Sequence, residues 1–554
     1  MPFVVGQAYF IAKPSVFLRD APNGSAKPLN HLIFGDWTRC EAPEAQGWVK
    51  VFSRRQTGFV RPAELTAKRA LEVNFLDIGQ GDSAHVVTPD DTIMIIDGGQ
   101  GDNLHRFLSW RYNLRHRKVA GVEGTAAGDP AALPPVPIDW VIVSHPDKDH
   151  YFGLRRVFGN PKVQVRRVRH NGIFERKATA AELAAAAAGG AKWFEDLGRT
   201  FTAPGGTIYL RDLVRDQAGM TGVMDGQKAL ASLKDYYETF KALRDNPASQ
   251  GCQYAMVSHT DGHLPGFEAG QPLEIEVFGP VIETVVIDGV PHTVLRKLGN
   301  KGETKNGHSV VLRLTIGKLR VLLGGDLNTK SEDYLLRHYT GIGEDASELE
   351  RTIYKLERKG TARTPADETK LTTARAARDH LVQKGRERFE VDVAKACHHG
   401  SHHFSETFLK ALNPIAVVIS SGDQESYGHP RPDALGAFGK CGRGHRPLIF
   451  STEIARSTRE FTPLRDYFDK LRAFETSIAA APTAKEKARL QKEMEEAKDS
   501  NVARYGMITL CSDGVTTIIA SKLEVPNKDT RWDIHELAFN TATGQMEYLD
   551  KTKG

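Results

Sequence analysis

The feature that most constrains this chain is the heptapeptide at residues 144–150, which follows the apolar run at 138–143. A short β-branched run that ends abruptly in polar residues predicts a buried strand whose tip reaches a site. Imidazoles and carboxylates are common metal ligands, and charges this crowded repel one another unless a cation or solvent separates them. We therefore predict a loop wrapped around one or two cations, rather than a solvated turn. Its four candidate ligands are His145, Asp147, Asp149 and His150.

Length and composition limit the remaining choices. A chain of 554 residues exceeds what one hydrophobic core usually supports, so we expect about three domains or one domain with large insertions. The formal net charge of +5 gives no overall nucleic-acid signature, although local basic patches are compatible with it. The five cysteines are scattered, which favours a reducing compartment. With no charged leader and no run that could span a bilayer, we expect a soluble, cytoplasmic protein without membrane contact.

The segment at 1–66 has its own pattern of short apolar patches separated by turn-forming residues. Several short strands with regular turn signals predict a small β-barrel. The Gly-Trp-Val element at 47–49 and the Gly-Phe-Val element at 58–60 resemble the final strands of the bacterial SH3 family. The resemblance implies an SH3-like domain, which would bind a protein or dock against the rest of this chain.

Three segments at the start of the main domain carry a second resemblance. They are Phe-Leu-Asp-Ile-Gly-Gln-Gly-Asp-Ser at 75–83, Ile-Ile-Asp-Gly-Gly at 95–99 and the heptapeptide at 144–150. Together they resemble the metallo-β-lactamase superfamily. They also resemble its ComEC-like hydrolase branch, which is typified by the hydrolase domain of a DNA-uptake protein.

The same resemblance continues downstream in family order. Its later elements are Asn-Gly-His-Ser at 306–309, Gly-Gly-Asp at 324–326, His-His-Gly-Ser at 398–401 and Tyr-Gly-His-Pro at 427–430. The matching regions cover roughly 71–160, 273–335 and 391–450, which is under half of the chain. Any single element is weak, but their common order makes coincidence improbable.

The resemblance implies an α/β fold, namely the αββα metallo-β-lactamase sandwich, with the metal site along one edge of its two sheets. We assign residues 70–522 to this domain and 523–554 to a C-terminal tail. Helical insertions are expected at about 165–270, 337–390 and 459–504, either as a lid or partner surface or as solvated decoration.

Local patterns predict the secondary structure of several segments. Periodicity indicates helices at 103–110, at 151–158 and near 229–243. Capping boxes at 179–182 and 483–486 predict two further helix starts. The Ser-Asp-Gly turn predicts a hairpin that joins strands at 506–510 and 516–520.

The resemblance also assigns roles to the metal-binding candidates. It places His145 and Asp147 on a first metal, and Asp149 and His150 on a second. Asp326 would bridge the two ions. His398 would complete the second site, with the adjacent His399 as the alternative. The family's third histidine on the first metal is not evident. His308 lies near that point and is a candidate, although the ComEC-like branch carries an Asn-x-x-Ser element there instead.

Asp147 bears on the identity of the metal, since many family members have histidine at that position. A carboxylate adds negative charge and hardens the site, which shifts preference toward manganese, iron or magnesium relative to zinc. We expect two divalent ions, Zn, Mn or Fe, with Mn or Zn favoured. Flavodiiron proteins also have an acidic residue here, but this chain has no recognisable flavin-binding domain.

Two neighbouring metals supply hydroxide at neutral pH and stabilise an in-line displacement, which suits hydrolysis of phosphodiesters and other esters. Asp149 or Asp326 would orient the water, while His429 would protonate a leaving group or bind a phosphate. Ligating imidazoles need hydrogen-bond acceptors behind them. We expect four residues to hold the ligands in this way, namely Asp82, Asp97, Ser309 and Ser401.

The favoured function is therefore a metal-dependent phosphodiesterase or nuclease, with a nucleic acid or another phosphodiester as its substrate. Basic clusters on either side of the metal loop agree weakly with a phosphate backbone, although charge runs are commonly solvated faces. Their members are Arg111, Arg115, His116, Arg117 and Lys118, then Arg166, Arg167, Arg169 and His170. The alternatives are a small-molecule ester or lactone hydrolase and a non-catalytic metal-binding sensor that relays binding to a partner.

Overall fold

The computed structural model describes most of the chain and shows a mixed α/β architecture. The described residues are 2–176, 178, 180–188, 192–225, 234–422, 427–452, 467–499, 506–523 and 530–549. Among them, no helix is both long and apolar enough to cross a membrane.

The N-terminal segment forms a curled antiparallel sheet, a half-barrel. Its strands are β1 (Ala8–Ile11), β2 (Ser15–Arg19), β3 (Pro28–Ile33), β4 (Trp37–Ala45), β5 (Trp48–Ser53), β6 (Gln56–Val60) and β7 (Leu65–Thr66). They are ordered β3-β2-β6-β5-β4-β1-β7, and they enclose a small core that includes Tyr9, Leu18 and Val51. The sequence predicts a small β-barrel here, and the structure confirms the antiparallel strands but curls them into a half-barrel.

The next region begins the main domain. Its elements are β8 (Leu71–Phe75), β9 (Ala84–Val87), β10 (Ile93–Ile96), α1 (Asn103–Arg111), β11 (Val136–Ile138), β12 (Trp140–Val143), α2 (Lys148–Tyr151), α3 (Leu154–Phe158), β13 (Val163–Val165) and β14 (Arg167–His170). Strands β10 and β12 are buried at every position, as expected for Val/Ile-rich strands covered on both faces. The helix predicted at 103–110 is confirmed as α1, and the pattern at 151–158 is divided between α2 and α3.

The region from 180 to 307 contains short helices and strands. They are α4 (Ala180–Ala188), β15 (Lys192–Trp193), β16 (Arg199–Thr202), β17 (Ile208–Leu210), α5 (Gln217–Asp225), α6 (Lys234–Arg244), β18 (Gln253–Met256), β19 (Leu273–Gly279), β20 (Glu283–Ile287), β21 (Val290–Arg296) and α7 (Lys301–Gly307). Helix α4 confirms the helix expected after the capping box at 179–182, although Thr179 itself is outside the described residues. Helix α6 covers the later part of the pattern at 229–243, and residues 226–233 are outside the described part.

The following region pairs further strands with longer helices. These are β22 (Val311–Ile316), β23 (Leu319–Leu323), α8 (Thr329–Thr340), α9 (Ala346–Glu357), α10 (Pro365–Phe389), β24 (Val393–Lys395), α11 (Glu406–Leu412), β25 (Ala416–Ile419), α12 (Pro432–Cys441) and β26 (Leu448–Ser451). Helices α9 and α10 confirm the helical character predicted for 337–390. Pro365 opens α10, and Thr364 caps it by accepting from Asp367 N.

The last region adds two helices and the C-terminal strands of the sheet that also contains β8. It contains α13 (Tyr467–Ala480), α14 (Ala484–Asp499), β27 (Ile508–Ser512), β28 (Thr517–Lys522), β29 (Trp532–Asn540) and β30 (Gln545–Tyr548). Strands β27 and β28 confirm the predicted hairpin. The capping box at 483–486 does begin a helix, α14, where Glu486 N–H donates to Thr483 Oγ1 at 3.2 Å. Strands β29 and β30 lie in the segment that the sequence assigns to a tail, and they extend the sheet.

Two large sheets determine where the loops of the main domain meet. Within the described residues, the ten-stranded sheet has the order β18-β14-β12-β10-β9-β8-β27-β28-β29-β30, and the six-stranded sheet has the order β19-β22-β23-β24-β25-β26. Strands β10 and β12 are parallel, and so are β23, β24 and β25. Because parallel neighbours end at the same edge of a sheet, the loops that follow these strands are brought together.

The hydrophobic residues form layers on and between the sheets. One cluster contains side chains of both sheets, such as Ile142 of β12 and Val321 of β23. Val141, the neighbour of Ile142, points to the opposite face, where it belongs to a cluster shared with α1, α3 and α6. A third cluster covers the outer face of the six-stranded sheet and includes Leu381 of α10 and Phe408 of α11.

The half-barrel contacts the C-terminal strands of the large sheet. Trp532 of β29 donates from Nε1 to His31 O at 3.2 Å, and the Arg54 guanidinium lies 4.6 Å from the Trp532 ring centroid. Ile33 and Phe34 share a buried cluster with Trp532. The N-terminal unit therefore packs against the main domain through both polar and apolar contacts.

Candidate metal centre

Loops from both large sheets supply the side chains of the candidate centre. The heptapeptide follows β12, and Asp97 follows β10 in the same sheet. Asp326 follows β23, and His399 lies in a short turn after β24 of the other sheet. The site thus lies where the C-terminal ends of parallel strands from the two sheets meet.

Imidazole and carboxylate atoms converge closely at this edge. Asp326 Oδ2 is 3.2 Å from His150 Nε2 and 3.2 Å from His399 Nε2. Asp149 Oδ2 is 3.6 Å from His399 Nε2, and the rings of His145 and His150 are 4.1 Å apart. Two overlapping groups have all their ligand atoms within 4.8 Å, His145 with His150 and Asp326, and Asp149 with His150 and His399. The arrangement has the spacing of a centre for one or two cations.

Asp97 fixes the orientation of His150. Its carboxylate accepts from Ser144 N at 2.7 Å and from Ser144 Oγ at 2.6 Å, and it lies 2.8 Å from His150 Nδ1. Since Nδ1 is engaged by Asp97, Nε2 of His150 faces Asp326. Asp97 is buried and has a φ of 58°, a left-handed conformation that non-glycine residues seldom adopt. This backbone conformation is part of how the end of β10 presents the carboxylate.

The other two imidazoles are held through Nδ1 as well. His399 Nδ1 lies 3.1 Å from Asp82 Oδ1 and 3.2 Å from Ser420 O. His145 Nδ1 lies 3.0 Å from Ser144 Oγ and 3.3 Å from Ser309 Oγ. In all three histidines Nδ1 contacts a neighbouring side chain or carbonyl group, so Nε2 faces the centre. Such partners fix the orientation of metal-binding imidazoles.

The electrostatics of the cluster favour a bound cation. Burial by itself raises the pKa of Asp326, but His150 and His399 hold that pKa well below its usual range. Burial lowers the pKa of each of these two histidines, whereas Asp326 and a second carboxylate, Asp97 or Asp82, raise it well above the usual value. The pKa of Asp149 falls to about 2 despite its burial, because His399 and His150 are adjacent. The carboxylates therefore attract positive charge, which a divalent ion supplies by displacing protons.

The unsatisfied atoms of the site match this chemistry. Within the described part of the chain, Nε2 of His145, His150 and His399 and Oδ1 of Asp326 are buried without a hydrogen-bond partner. Buried polar atoms are usually paired, so their convergence needs an explanation. Nitrogen and oxygen donors of this kind suit zinc, manganese or iron, and the residues present therefore fit a divalent metal.

The structure brings His399, and not His398, into this cluster. His398 and His399 have φ values of 48° and 54°, which turn the two side chains in different directions. The His398 ring lies 5.7 Å from the His429 ring and 5.9 Å from the His403 ring, and burial lowers the pKa of His398 to about 4. The preference for His398 as the ligand is thus at odds with the geometry, which favours the alternative.

Three further predicted residues lie beside the cluster. The His429 ring is 6.2 Å from the His399 ring, at the mouth of the site near exposed Tyr427. Ser401 Oγ lies 3.3 Å from His403 Nδ1 and does not contact the three converging imidazoles. His308 Nε2 lies 2.7 Å from Arg296 O, so its ring is engaged away from the centre.

Asp147 makes contacts that the sequence does not predict. Lys305 forms a partly buried ion pair with Asp147 Oδ1, and it also donates to Glu175 Oε1 at 2.7 Å. When the Asn306 amide is oriented to satisfy its neighbours, its nitrogen lies 2.6 Å from Asp147 Oδ2. His145 Nε2 is 3.5 Å from the same oxygen. Both oxygens of Asp147 are thus already engaged by nitrogen donors.

A second buried lysine supports the opposite side of the centre. Lys395, the last residue of β24, is paired with Asp82 and donates to Gly325 O at 3.0 Å. Its ammonium is 3.7 Å from Asp326 Oδ1. A lysine that ends an apolar strand just before His-His could have been noticed in the sequence, because buried lysines need a carboxylate partner. Lys305 and Glu175 carry no comparable local signal.

Most side chains of the basic clusters flanking the metal loop contact other side chains of the protein. Arg111, Arg115 and Arg166 each lie 2.6 Å from a carboxylate oxygen, belonging to Glu72, Glu475 and Asp139 respectively. Arg167 and Arg169 lie over the Trp140 ring, and His170 is buried. These contacts favour a structural role for most of the predicted basic patch.

Comparison with known proteins agrees with the class of site that this geometry defines. A family model described as the Metallo-beta-lactamase superfamily matches residues 79–230. The matched segment contains Asp97 and the heptapeptide, and it ends before Asp326 and His399. No curated protein matches the chain. The family match and the His/Asp cluster together indicate a metal-dependent hydrolase.

Proposed function

We propose that this protein is a metal-dependent phosphodiesterase or nuclease. The observation that carries the proposal is the convergence of three Nε2 atoms, from His145, His150 and His399, on Asp326 and Asp149 at the edge of two sheets. The αββα sandwich expected for the family is supported by the buried cluster that both large sheets share. The resemblance to the ComEC-like branch adds the preference for phosphodiesters.

The distances support a ligand set for one side of the proposed centre, and the family resemblance supplies the other side. Asp149, His150, Asp326 and His399 would hold one ion, and Asp326 would bridge to a second ion beside His145 and Asp147. Such ions lower the pKa of bound water and polarise a phosphoryl oxygen, with manganese or zinc favoured. Asp82 and Asp97 keep the ligating imidazoles oriented through their Nδ1 atoms.

The remaining steps belong to side chains at the mouth of the site. The Asp149 side chain retains 21% exposure, so its carboxylate would orient water that approaches from solvent. His429, next to exposed Tyr427, would donate a proton to the leaving oxygen or bind a phosphate oxygen. Ester bonds of small molecules and of nucleic acids would react by the same chemistry.

The choice between a polymer and a small substrate depends on the surface. Since Arg111, Arg115 and Arg166 are paired with carboxylates, the flanking basic clusters give little support to a phosphate-backbone track. A small-molecule ester or lactone hydrolase therefore stays as the second candidate, with the same centre. The half-barrel would be an SH3-like domain that docks internally, as its contacts to Trp532 suggest.

The test is hydrolysis by purified protein loaded with Mn²⁺ or Zn²⁺. Substrates are bis(4-nitrophenyl) phosphate, single- and double-stranded DNA, RNA and a lactone probe. We expect phosphodiester cleavage that falls by roughly a hundredfold or more in Asp149→Ala, because this variant loses both a proposed metal ligand and the carboxylate that would act on the water. Asp139→Asn is the matched control, because Asp139 is paired with Arg166 beside the opposite end of β12. Turnover of the lactone alone supports the second candidate, and a metal-loaded protein that cleaves none of these substrates would refute the proposal.

A further inference from the structure

Lys305 introduces an asymmetry into the centre. It is 7% exposed, and its ammonium forms ion pairs with Asp147 and Glu175. The Asn306 amide takes the other oxygen of Asp147 at 2.6 Å. Asp147 therefore behaves as the counterion of a buried lysine, in a place where the sequence pattern predicts a metal ligand.

The other side of the centre keeps its carboxylates directed at the imidazoles. Asp149 Oδ2 faces His399 Nε2 at 3.6 Å, and Asp326 Oδ2 is 3.2 Å from both His150 and His399. The second buried lysine, Lys395, is paired first with Asp82 and approaches Asp326 no closer than 3.7 Å. Two carboxylates thus remain for a cation on this side.

We infer that Lys305 makes the two metal positions unequal. One divalent ion is bound tightly by Asp149, His150, Asp326 and His399, while Lys305 supplies the positive charge beside Asp147 and keeps the position at His145 weak. The physical reason is that an ammonium a few ångströms from a divalent ion repels it, and repulsion inside a partly buried site is poorly screened. The inference rests on the proposed metal-dependent function, and it is tested by metal binding rather than by turnover.

The experiment compares wild type, Lys305→Met and Lys305→Arg. Each full-length protein is loaded with Mn²⁺, freed of excess metal by gel filtration, and analysed for bound manganese by mass spectrometry. We expect one ion per chain in wild type and in Lys305→Arg, which retains the charge, and two ions in Lys305→Met. The electron paramagnetic resonance spectrum should show an isolated Mn²⁺ ion in wild type and an exchange-coupled pair of ions in Lys305→Met. Titration should show the second affinity rising by roughly a hundredfold or more, as expected for loss of a nearby unit charge.

Three further variants keep the test decisive if Lys305→Met does not fold. The double variant Lys305→Met/Glu175→Gln removes the ammonium together with the charge of one carboxylate that pairs with it, so less unpaired charge stays buried. Asp147→Asn should retain the tight ion, whereas Asp149→Asn should lose it. Two ions of equal affinity in wild type, or an unchanged single ion in a folded Lys305→Met or double variant, would overturn the inference. One tight ion without phosphodiester cleavage would instead refute only the proposed function.

Discussion

The Asp97→Asn variant tests whether the carboxylate that contacts His150 Nδ1 affects the affinity of the centre for metal. Asp97 accepts two hydrogen bonds from Ser144 and lies 2.8 Å from His150 Nδ1. An asparagine can keep one acceptor oxygen toward Ser144, but its NH₂ group then faces the Nδ1–H of His150. The His150 ring loses a charge-assisted hydrogen bond and its fixed orientation. Losses of this kind cost roughly 10- to 100-fold in metal affinity, or about 1.4–2.8 kcal/mol at 25 °C.

Isothermal titration with Mn²⁺ measures this loss, and circular dichroism shows whether the variant remains folded. Asp139→Asn is a suitable control, since Asp139 also joins neighbouring segments by accepting from Ile93 N at 3.0 Å, but beside the end of β12 remote from the centre. We expect its affinity for manganese to stay within about twofold of wild type, as for independent sites. If Asp97→Asn is folded and binds manganese as tightly as wild type, the assigned role of Asp97 is wrong.

Three further predictions concern close packing, pH and docking. Gly81→Ala places a Cβ 1.7 Å from the Asp149 carbonyl oxygen, so the loop that carries Asp149 must shift. Manganese affinity, measured by titration, should fall by about tenfold or more. Gly79→Ala is the control, because Gly79 also has a positive φ but lies in open space, and its affinity should stay within about twofold of wild type. Burial raises the pKa of Asp333 from 3.8 to about 7, so the folded state holds a proton that the unfolded chain releases, and stability falls as pH rises between these values. Asp333→Asn should remove up to about 4 kcal/mol of this pH-dependent loss of stability. Urea denaturation at pH 4 and pH 8 measures it, and an equal change in the free energy of unfolding between these pH values in wild type and variant would contradict the prediction. Trp532→Ala deletes a buried aromatic side chain where the half-barrel contacts the main domain, and it should lower the free energy of unfolding by about 3–5 kcal/mol. Limited proteolysis should then cleave at residues 60–70, and a digestion pattern like that of wild type would argue against docking through Trp532.

The parts of the site that local sequence could predict are those that a single strand and its following loop determine. The run at 138–143 becomes β11 and β12, and the heptapeptide after it supplies His145, Asp149 and His150 to the cluster. Asp326 also follows a buried strand, β23, but its role in the centre is implied by the family resemblance. A buried strand that ends in polar residues can deliver them only to the edge where it ends, so here periodicity and spacing suffice.

The choice between His398 and His399 could not be made in this way. Both residues follow β24, and the outcome depends on two consecutive left-handed backbone conformations that non-glycine residues seldom adopt. It also depends on Asp82 and Ser420, which engage His399 Nδ1 from distant parts of the chain. No local pattern carries that information.

Asp147 shows why the position of a residue within a motif does not by itself determine its role. Its spacing from His145 predicts a ligand, yet its partner Lys305 is 158 residues away in the sequence, and Lys305 contacts Glu175 across 130 residues. A carboxylate close to a buried ammonium has little charge left to stabilise a second cation. The chemistry available at the heptapeptide is therefore determined jointly by the loop that carries the ligands and by α7, which carries Lys305 into the same space. A family pattern read along one segment detects the first contribution, and only the three-dimensional arrangement reveals the second.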